Sequence, residues 1–405
     1  MIARDVIILG AGPAGLSAAA ELARLKVGKV TVLDREPVAG GIPRHCGHLG
    51  FGWNEFRKVM TGPGYARNLV ETASGVELRL GVTALRLEPG GVVQTTSAEG
   101  PETYQGRAVL LAMGARETPR SARLASGARP CGVMNTGALQ QFVYLNGQRP
   151  FERPVIIGSE LVAFSTLMTL RHVSARPAAM IESASRITAR RPGDWIARLA
   201  FGVPVLLNTR LVRILGHERV EAVEIDRGNG PERLDCDGVV FTGGFRPENA
   251  LLASSHLAVD PGTQGPAIDQ FWRCSDPAFF AAGNLLRGIE TAGQCWREGR
   301  AVARSIAAAL QGKLAATEGV PVRAAGALSY VYPQRLVAED PRDAALLFFG
   351  RARTATKGTV MVRGDDTVIW SRKIAVLPER RIAWPVSPKD LQAYKAVTVS
   401  LEADA

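Results

Sequence analysis

Two stretches of this chain carry residue types at spacings that bind nucleotides. The first is Gly10-Ala11-Gly12-Pro13-Ala14-Gly15, a G-x-G-x-x-G run directly after the apolar Val6-Ile7-Ile8-Leu9. In such a run the first glycine permits a tight turn and the second lets the backbone approach a pyrophosphate. The third lets the following helix pack closely on the strand. The helix N-terminus then offers free N–H groups and a positive partial charge to the phosphates. Asp34 ends the next apolar stretch, where a carboxylate accepts hydrogen bonds from ribose hydroxyls. The second stretch, Gly158-Ser159-Glu160-Leu161-Val162-Ala163, has the same outline, but Glu160 stands where the second glycine belongs. A carboxylate there blocks the backbone's approach to a pyrophosphate and repels it as a like charge. Glu182, after Ala179-Met180-Ile181, has the position of a second ribose ligand and would repel a 2′-phosphate. This second turn is therefore expected to keep the nucleotide-binding shape without the nucleotide.

The elements that must hold these turns follow from periodicity and breakers. A βαβ unit is expected from strand Val6 to Leu9, helix Leu16 to Leu25 and strand Val30 to Leu33. Gly40 to Gly64 reads as an extended loop over a site, followed by strands at Val76–Leu80 and Val109–Ala112. After the breaker-rich Asn146 to Pro150 a second strand–turn–helix opens at Val155. Strands at Val239–Thr242 and Phe279–Ala282 precede a long helix from Thr291 to Leu310. Val360–Arg363 and Val368–Trp370 read as a hairpin about Gly364-Asp365-Asp366. The expected fold is α/β with two Rossmann-like domains. A discontinuous dinucleotide domain (1–125 and 251–318) holds an inserted one (126–250), and 319–405 form a small β-rich extension.

Three further motifs carry a family resemblance over residues 1–318. They are Gly40-Gly41, the Val109-Leu110-Leu111-Ala112-Met113-Gly114-Ala115 strand and turn, and Phe280-Ala281-Ala282-Gly283-Asn284. With the first glycine turn they resemble the FAD fingerprints of glutathione-reductase-type flavoproteins, within them the two-domain, thioredoxin-reductase-like branch. Gly40 to His48 and Gly158 to Val162 look like the FAD subunits of heteromeric dehydrogenases: opine oxidase, hydrogen cyanide synthase, and hydroxyproline or proline dehydrogenase α-type subunits. Flavoproteins encoded beside glycerol-3-phosphate dehydrogenases are similar too. The resemblance implies FAD as cofactor. It implies FAD contacts from Gly10, Gly12, Pro13, Ala14, Gly15, Asp34, Arg35, Gly41, Ile42, Val82, Ala112, Gly114, Gly283, Asn284, Thr291 and Ala292. Asn284 replaces the family's usual Asp and removes a negative charge beside the pyrophosphate. The helix beginning at Thr291 would aim its N-terminus at the flavin's N1/O2 edge, where negative charge collects on reduction.

A second departure is the missing dithiol: neither the C-x₄-C nor the C-x-x-C of the disulfide reductases is present. Cys46 stands alone between His45 and His48, the candidate catalytic residues. Three readings are open for them: a loop over the isoalloxazine with a histidine tuning the flavin or moving a proton, structural packing, or a metal site. The last is disfavoured because the ligands are too close in sequence to surround an ion, and no metal is expected. Cys295 is read as a small buried hydrophobe. The dehydrogenase subunits commonly carry a cysteine-rich iron–sulfur segment at the C-terminus, and here no cysteine follows Cys295. Any such cluster would sit on another polypeptide or be absent.

With five scattered cysteines and an opening that runs at once into a strand, neither a disulfide framework nor a signal peptide is expected, and the cytoplasm is the expected setting. No apolar run has bilayer-spanning length. The net charge of +11 comes with no nucleic-acid-binding signature. About half the excess lies in residues 322–396, with 13 Lys/Arg against 7 Asp/Glu. This is either a solvated surface or a docking face for an acidic partner or an anionic membrane. The expected function is an FAD-dependent oxidoreductase acting in a heteromeric dehydrogenase on an amine, amino-acid-like or polyol-phosphate substrate. A second flavoprotein subunit or a small iron–sulfur protein is the expected partner, and the electron acceptor is not NAD(P). The alternatives are a stand-alone NAD(P)H-dependent reductase of a small acceptor and a structural subunit that merely holds FAD.

Overall fold

The structure, a computed structural model, describes residues 1–189, 193–314, 318–337, 346–387 and 393–404. The chain divides into two compact units, one of residues 1–41, 67–115 and 246–405, the other of 42–66 and 116–245.

The first unit is built on a seven-stranded sheet. Strand Ile2–Leu9 is central, with Val30–Asp34 parallel on one side and Gly100–Leu111 parallel on the other. Phe279–Ala281, from far along the chain, joins parallel to Gly100–Leu111. Ile7, Ile8, Val109 and Phe280 are fully buried, as in sheets covered on both faces. The opening helix runs Pro13–Arg24, with Pro13 at its first position. It starts three residues before the expected Leu16, because proline's fixed φ and missing N–H suit a first helical turn. The closing helix, Ala292–Leu310, matches expectation and packs on the opening one. Strands Thr83–Glu88 and Val92–Ser97 form a hairpin that sequence reading passed over.

In the same unit, residues 319–404 form a five-stranded and a three-stranded sheet. Leu328, Phe348, Val360, Trp384 and Val399 from both sheets share one core, so the extension is a small β sandwich. The expected hairpin is there, as strands Thr356–Gly364 and Thr367–Val376, with Asp365 at a φ of 49° in the turn.

The second unit has a parallel five-stranded sheet with Val155–Ile157 between Val239–Phe241 and Ala179–Ile181. A four-stranded sheet accompanies it. The expected loop at 40–64 is partly ordered into a short 3-10 turn Ile42–His45, paired strands Leu49–Phe51 and Met60–Thr61, and a helix from Gly62. The turn and the paired strands are too short for periodicity to register. The parallel sheets of the two units fit the expected α/β architecture with two Rossmann-like sheets. Among the described residues no helix is long and apolar enough to cross a membrane.

Candidate functional site

In the first unit, the sheet and the opening helix converge at the Gly10–Gly15 turn. Gly10 has a φ of 111°, and a β-carbon there would overlap the Ala112 carbonyl. One on Gly15 would overlap the Gly10 carbonyl. Gly12 is different: its missing β-carbon points into open space, with only the Gly41 α-carbon at 4.0 Å. Gly10 and Gly15 are thus needed for packing, while Gly12 leaves room. Gly41, at a φ of 62°, closes on this turn, since a β-carbon on it would lie 2.8 Å from the Gly12 α-carbon. The Gly40 amide holds this approach by donating to the Ala11 carbonyl at 2.8 Å. Among the described residues no side chain caps the opening helix, which leaves its first amides to a ligand.

Asp34 accepts from the Ala11 amide at 2.6 Å and from the Glu36 amide at 2.9 Å. A carboxylate has about four acceptor sites, so these bonds fix its orientation and leave capacity for a ribose. The Val82 amide donates to the Asp34 carbonyl at 2.9 Å. Gly114, at a φ of 77°, has nothing near its missing β-carbon, and its carbonyl accepts from Glu248 N at 2.9 Å. Arg35 is mostly exposed and meets Glu248 at 3.8 Å.

The second fingerprint turn closes on the first. A β-carbon on Gly283, whose φ is 74°, would come within 2.8 Å of Ala14 Cβ. Gly283 is bracketed by a buried ion pair: its N–H donates to Glu298 at 3.1 Å and its carbonyl accepts from Arg287 at 2.7 Å. Arg287 and Glu298 pair through both carboxylate oxygens. Asn284 turns its amide onto one neighbour, donating to the Glu290 carbonyl at 3.2 Å and accepting from the Glu290 N–H at 2.8 Å. An aspartate could make only the second of these bonds. Thr291 caps the closing helix by accepting from Gln294 N at 3.3 Å, and Ala292 is its first residue. Cys295 is buried and its thiol is pushed up to about 12, an inert group. An uncapped helix start, an open cradle at Gly12 and an oriented carboxylate fit the phosphates and ribose of FAD.

The remaining candidates lie in the second unit. Ile42 is exposed. His45 is buried, and among the described residues neither ring nitrogen has a hydrogen-bond partner. Burial, aided by the Arg44 charge, pushes it down to about 4, so its ring is neutral at pH 7. The Cys46 thiol faces the Gln140 side-chain oxygen and the Ile42 carbonyl, both at 3.5 Å. Burial, reinforced by Glu117, pushes it up to about 12. His48 donates from Nδ1 to the Leu49 carbonyl at 2.8 Å, and its Nε2 shares a hydrogen bond with the Ser165 hydroxyl at 3.0 Å. The structure adds Glu117, which sequence reading missed. It is buried, accepts from Gly137 N at 2.7 Å, and burial raises it to about 7. Nothing local marks Glu117, because its burial arises from residues distant in sequence.

At the second turn, Glu160 folds into the cradle instead of leaving it open. Its carboxylate accepts from the Thr242 hydroxyl at 2.7 Å. A β-carbon on Gly158 would lie 2.7 Å from it, and one on Gly243 would overlap it. Burial, and to a lesser degree the Glu182 charge, raises the Glu160 carboxyl, while Thr242 and Arg123 oppose the shift. Glu182 is buried and bonded to the Ser159 hydroxyl and, at 2.9 Å, the Ala184 amide.

Residues 4–299 match the family model described as pyridine nucleotide-disulphide oxidoreductase. One subunit of the opine oxidase from Rhizobium meliloti is 29% identical, over 76% of this chain and 71% of that protein. Thioredoxin reductase from Mycolicibacterium smegmatis is also 29% identical, over 70% of this chain and 88% of that one. Among solved structures, T. acidophilum thioredoxin reductase superposes with a TM-score of 0.64 at 23% identity, covering 76% of this chain and 98% of its own, a likeness of fold.

Proposed function

This chain belongs to the pyridine nucleotide-disulphide oxidoreductase family and is an FAD-dependent oxidoreductase, and from that premise we propose that it is the FAD subunit of a heteromeric dehydrogenase. Its substrate is an amine, an amino-acid-like compound or a polyol phosphate, and its electrons leave to an acceptor other than NAD(P). FAD, when bound, supplies the two-electron chemistry, and the protein supplies binding, orientation and electrostatics.

The amides of Gly12, Ala14 and Gly15 hold the pyrophosphate in this reading, with Gly10 and Pro13 shaping the turn. Asp34 holds the ribose, with Arg35, Gly41, Ile42, Val82, Ala112 and Gly114 around the cofactor. Gly283, Asn284, Thr291 and Ala292 complete the site at the closing helix. His45, Cys46 and His48 are the candidate catalytic loop. His45, neutral and without a hydrogen-bond partner among the described residues, has one ring nitrogen to donate a proton and one to accept it, whereas the protonated, buried Cys46 is no nucleophile. The partner is a second flavoprotein subunit or a small iron–sulfur protein, in keeping with the opine oxidase relative, which is itself named as one subunit of an enzyme. The cytoplasm is its setting.

The observation that supports this reading is Glu160, whose carboxylate folds against Thr242, Gly158 and Gly243 at the second turn, where it would repel a dinucleotide's phosphates. The thioredoxin reductase relative favours a second reading, a stand-alone NAD(P)H-dependent reductase, and Glu160 stands against it. The two separate in an anaerobic titration of the purified holoprotein. NADH and NADPH are expected to leave the visible flavin band unbleached. Glu160→Gly, which reopens the cradle beside Arg123, is expected to gain bleaching by more than about tenfold, the effect of ~1.4 kcal/mol of relieved repulsion. Rapid bleaching of the unaltered protein by either nucleotide overturns the proposal.

A further inference from the structure

The β sandwich holds the dinucleotide domain at two places, residues 268–274, through Gln334, Arg335 and Val337, and the turn of residues 283–291. Arg351, on the strand Leu346–Ala352, donates to the Ile289 carbonyl at 2.7 Å and lies 3.6 Å from the Glu290 carboxylate. Arg381, just before the strand Ile382–Val386, reaches the other Glu290 oxygen at 3.4 Å and rests over the Phe349 ring at 4.9 Å. Tyr332 covers Arg287, its ring centre 4.9 Å from the guanidinium, and Arg287 has no exposed surface at all. Two arginines and an aromatic ring from the sandwich thus converge on Arg287, Ile289 and Glu290.

Those three residues are tied in turn to the glycine and amide of the second fingerprint. Asn284 holds both the N–H and the carbonyl of Glu290, so a displacement of Glu290 moves Asn284. Arg287 and Glu298 hold both backbone groups of Gly283. The next residue after Glu290 is Thr291, the cap of the closing helix. The Arg351–Ile289 bond is exposed, whereas the hydrogen bonds and ion pairs of Asn284, Arg287, Glu290 and Glu298 join buried or half-buried groups, where the low dielectric makes geometry costly to disturb.

We propose that the C-terminal β sandwich is a retention clamp for the cofactor: Arg351 and Arg381, acting through Glu290, are positioning residues that hold the Gly283–Thr291 turn in its FAD-binding form. This rests on the reading of Gly283, Asn284 and Thr291 as FAD contacts. It gives Asn284 a purpose that an aspartate could not serve, because only an amide can both donate to and accept from Glu290. The sandwich thereby acts on the flavin without contributing a group that touches it.

The test measures FAD dissociation from the full-length holoprotein by the rise in flavin fluorescence, together with the flavin midpoint potential. Arg351→Gln/Arg381→Gln is expected to weaken FAD binding by at least tenfold and to shift the potential. Glu290→Gln is expected to do the same, and Arg351→Lys/Arg381→Lys to restore most of the affinity. Val360→Ala, a cavity in the sandwich core away from the clamp, serves as the control for general loosening. The clamp is disproved if the double Gln variant keeps wild-type FAD affinity, or if Val360→Ala weakens FAD as much. A wild-type protein that cannot be loaded with FAD defeats the cofactor assignment instead, a separate and visible result.

Discussion

At the residue scale, sequence reading was strongest where one residue type is physically obligatory. Gly10, Gly15 and Gly283 are such positions, since a β-carbon at each meets backbone or side-chain atoms. Glu160 was legible as a departure, a charged side chain where the fingerprint has its second glycine. Burial of single polar groups was not legible. Glu117 looked like any surface acid, yet burial holds its carboxyl near 7. Its native value lies above the unfolded one, so the native state binds more protons between about pH 4.5 and 7. Stability from this group is full below that window and is lost as pH rises through it. Glu117→Gln, which keeps an acceptor for Gly137 N, is therefore expected to raise the thermal midpoint at pH 8. The gain corresponds to as much as about 3 kcal/mol and vanishes below about pH 5. Thermal melts of both proteins across pH 4.5–8.5 decide this, and a gain that does not depend on pH contradicts it.

At the element scale, the βαβ unit, the closing helix and the sandwich hairpin were readable because each is long or bounded by clear breakers. The Thr83–Ser97 hairpin was missed although Gly90-Gly91, both with positive φ, is a recognisable turn between two apolar-alternating runs. The 42–61 segment was missed for a better reason: its elements are held by glycines and loop contacts rather than by periodicity. Helix packing depends on another glycine. Gly299, inside the closing helix, would overlap the Ala14 carbonyl and the Ser17 hydroxyl if it carried a β-carbon. Ser17 bridges the two helices there, donating to the Ala14 and Trp296 carbonyls at 3.0 and 2.9 Å. An exposed helical glycine replaced by alanine gains up to about 1 kcal/mol. Gly299→Ala is expected to reverse that sign and cost roughly 1–3 kcal/mol, since the helices must part. Urea denaturation measures it, and a stabilised variant would show that the two helices are not in this close contact.

At the scale of the whole molecule, the first unit draws on three separated stretches, 1–41, 67–115 and 246–405, while the second unit has cores of its own. All the proposed FAD contacts but Ile42 fall in these stretches, from Gly10–Gly15 and Val82 to Gly283–Thr291, so a bound cofactor would bridge parts that only tertiary structure joins. A ligand bound only to the folded state stabilises it by RT ln(1 + [L]/Kd), about 4 kcal/mol at a thousandfold excess over Kd. For a unit of this size that is roughly 8–16 °C in Tm. Two consequences follow from the placement of the contacts. Tm should climb with the logarithm of added FAD, and the gain should fall on the first unit, leaving the second unit's unfolding nearly unmoved. Calorimetry of apo- and holoprotein, with hydrogen exchange to assign each transition, separates the two. Protection gained on FAD loading in strands Val155–Ile157 and Val239–Phe241, and not in Ile2–Leu9 and Phe279–Ala281, would place the cofactor in the wrong unit and with it the proposed chemistry.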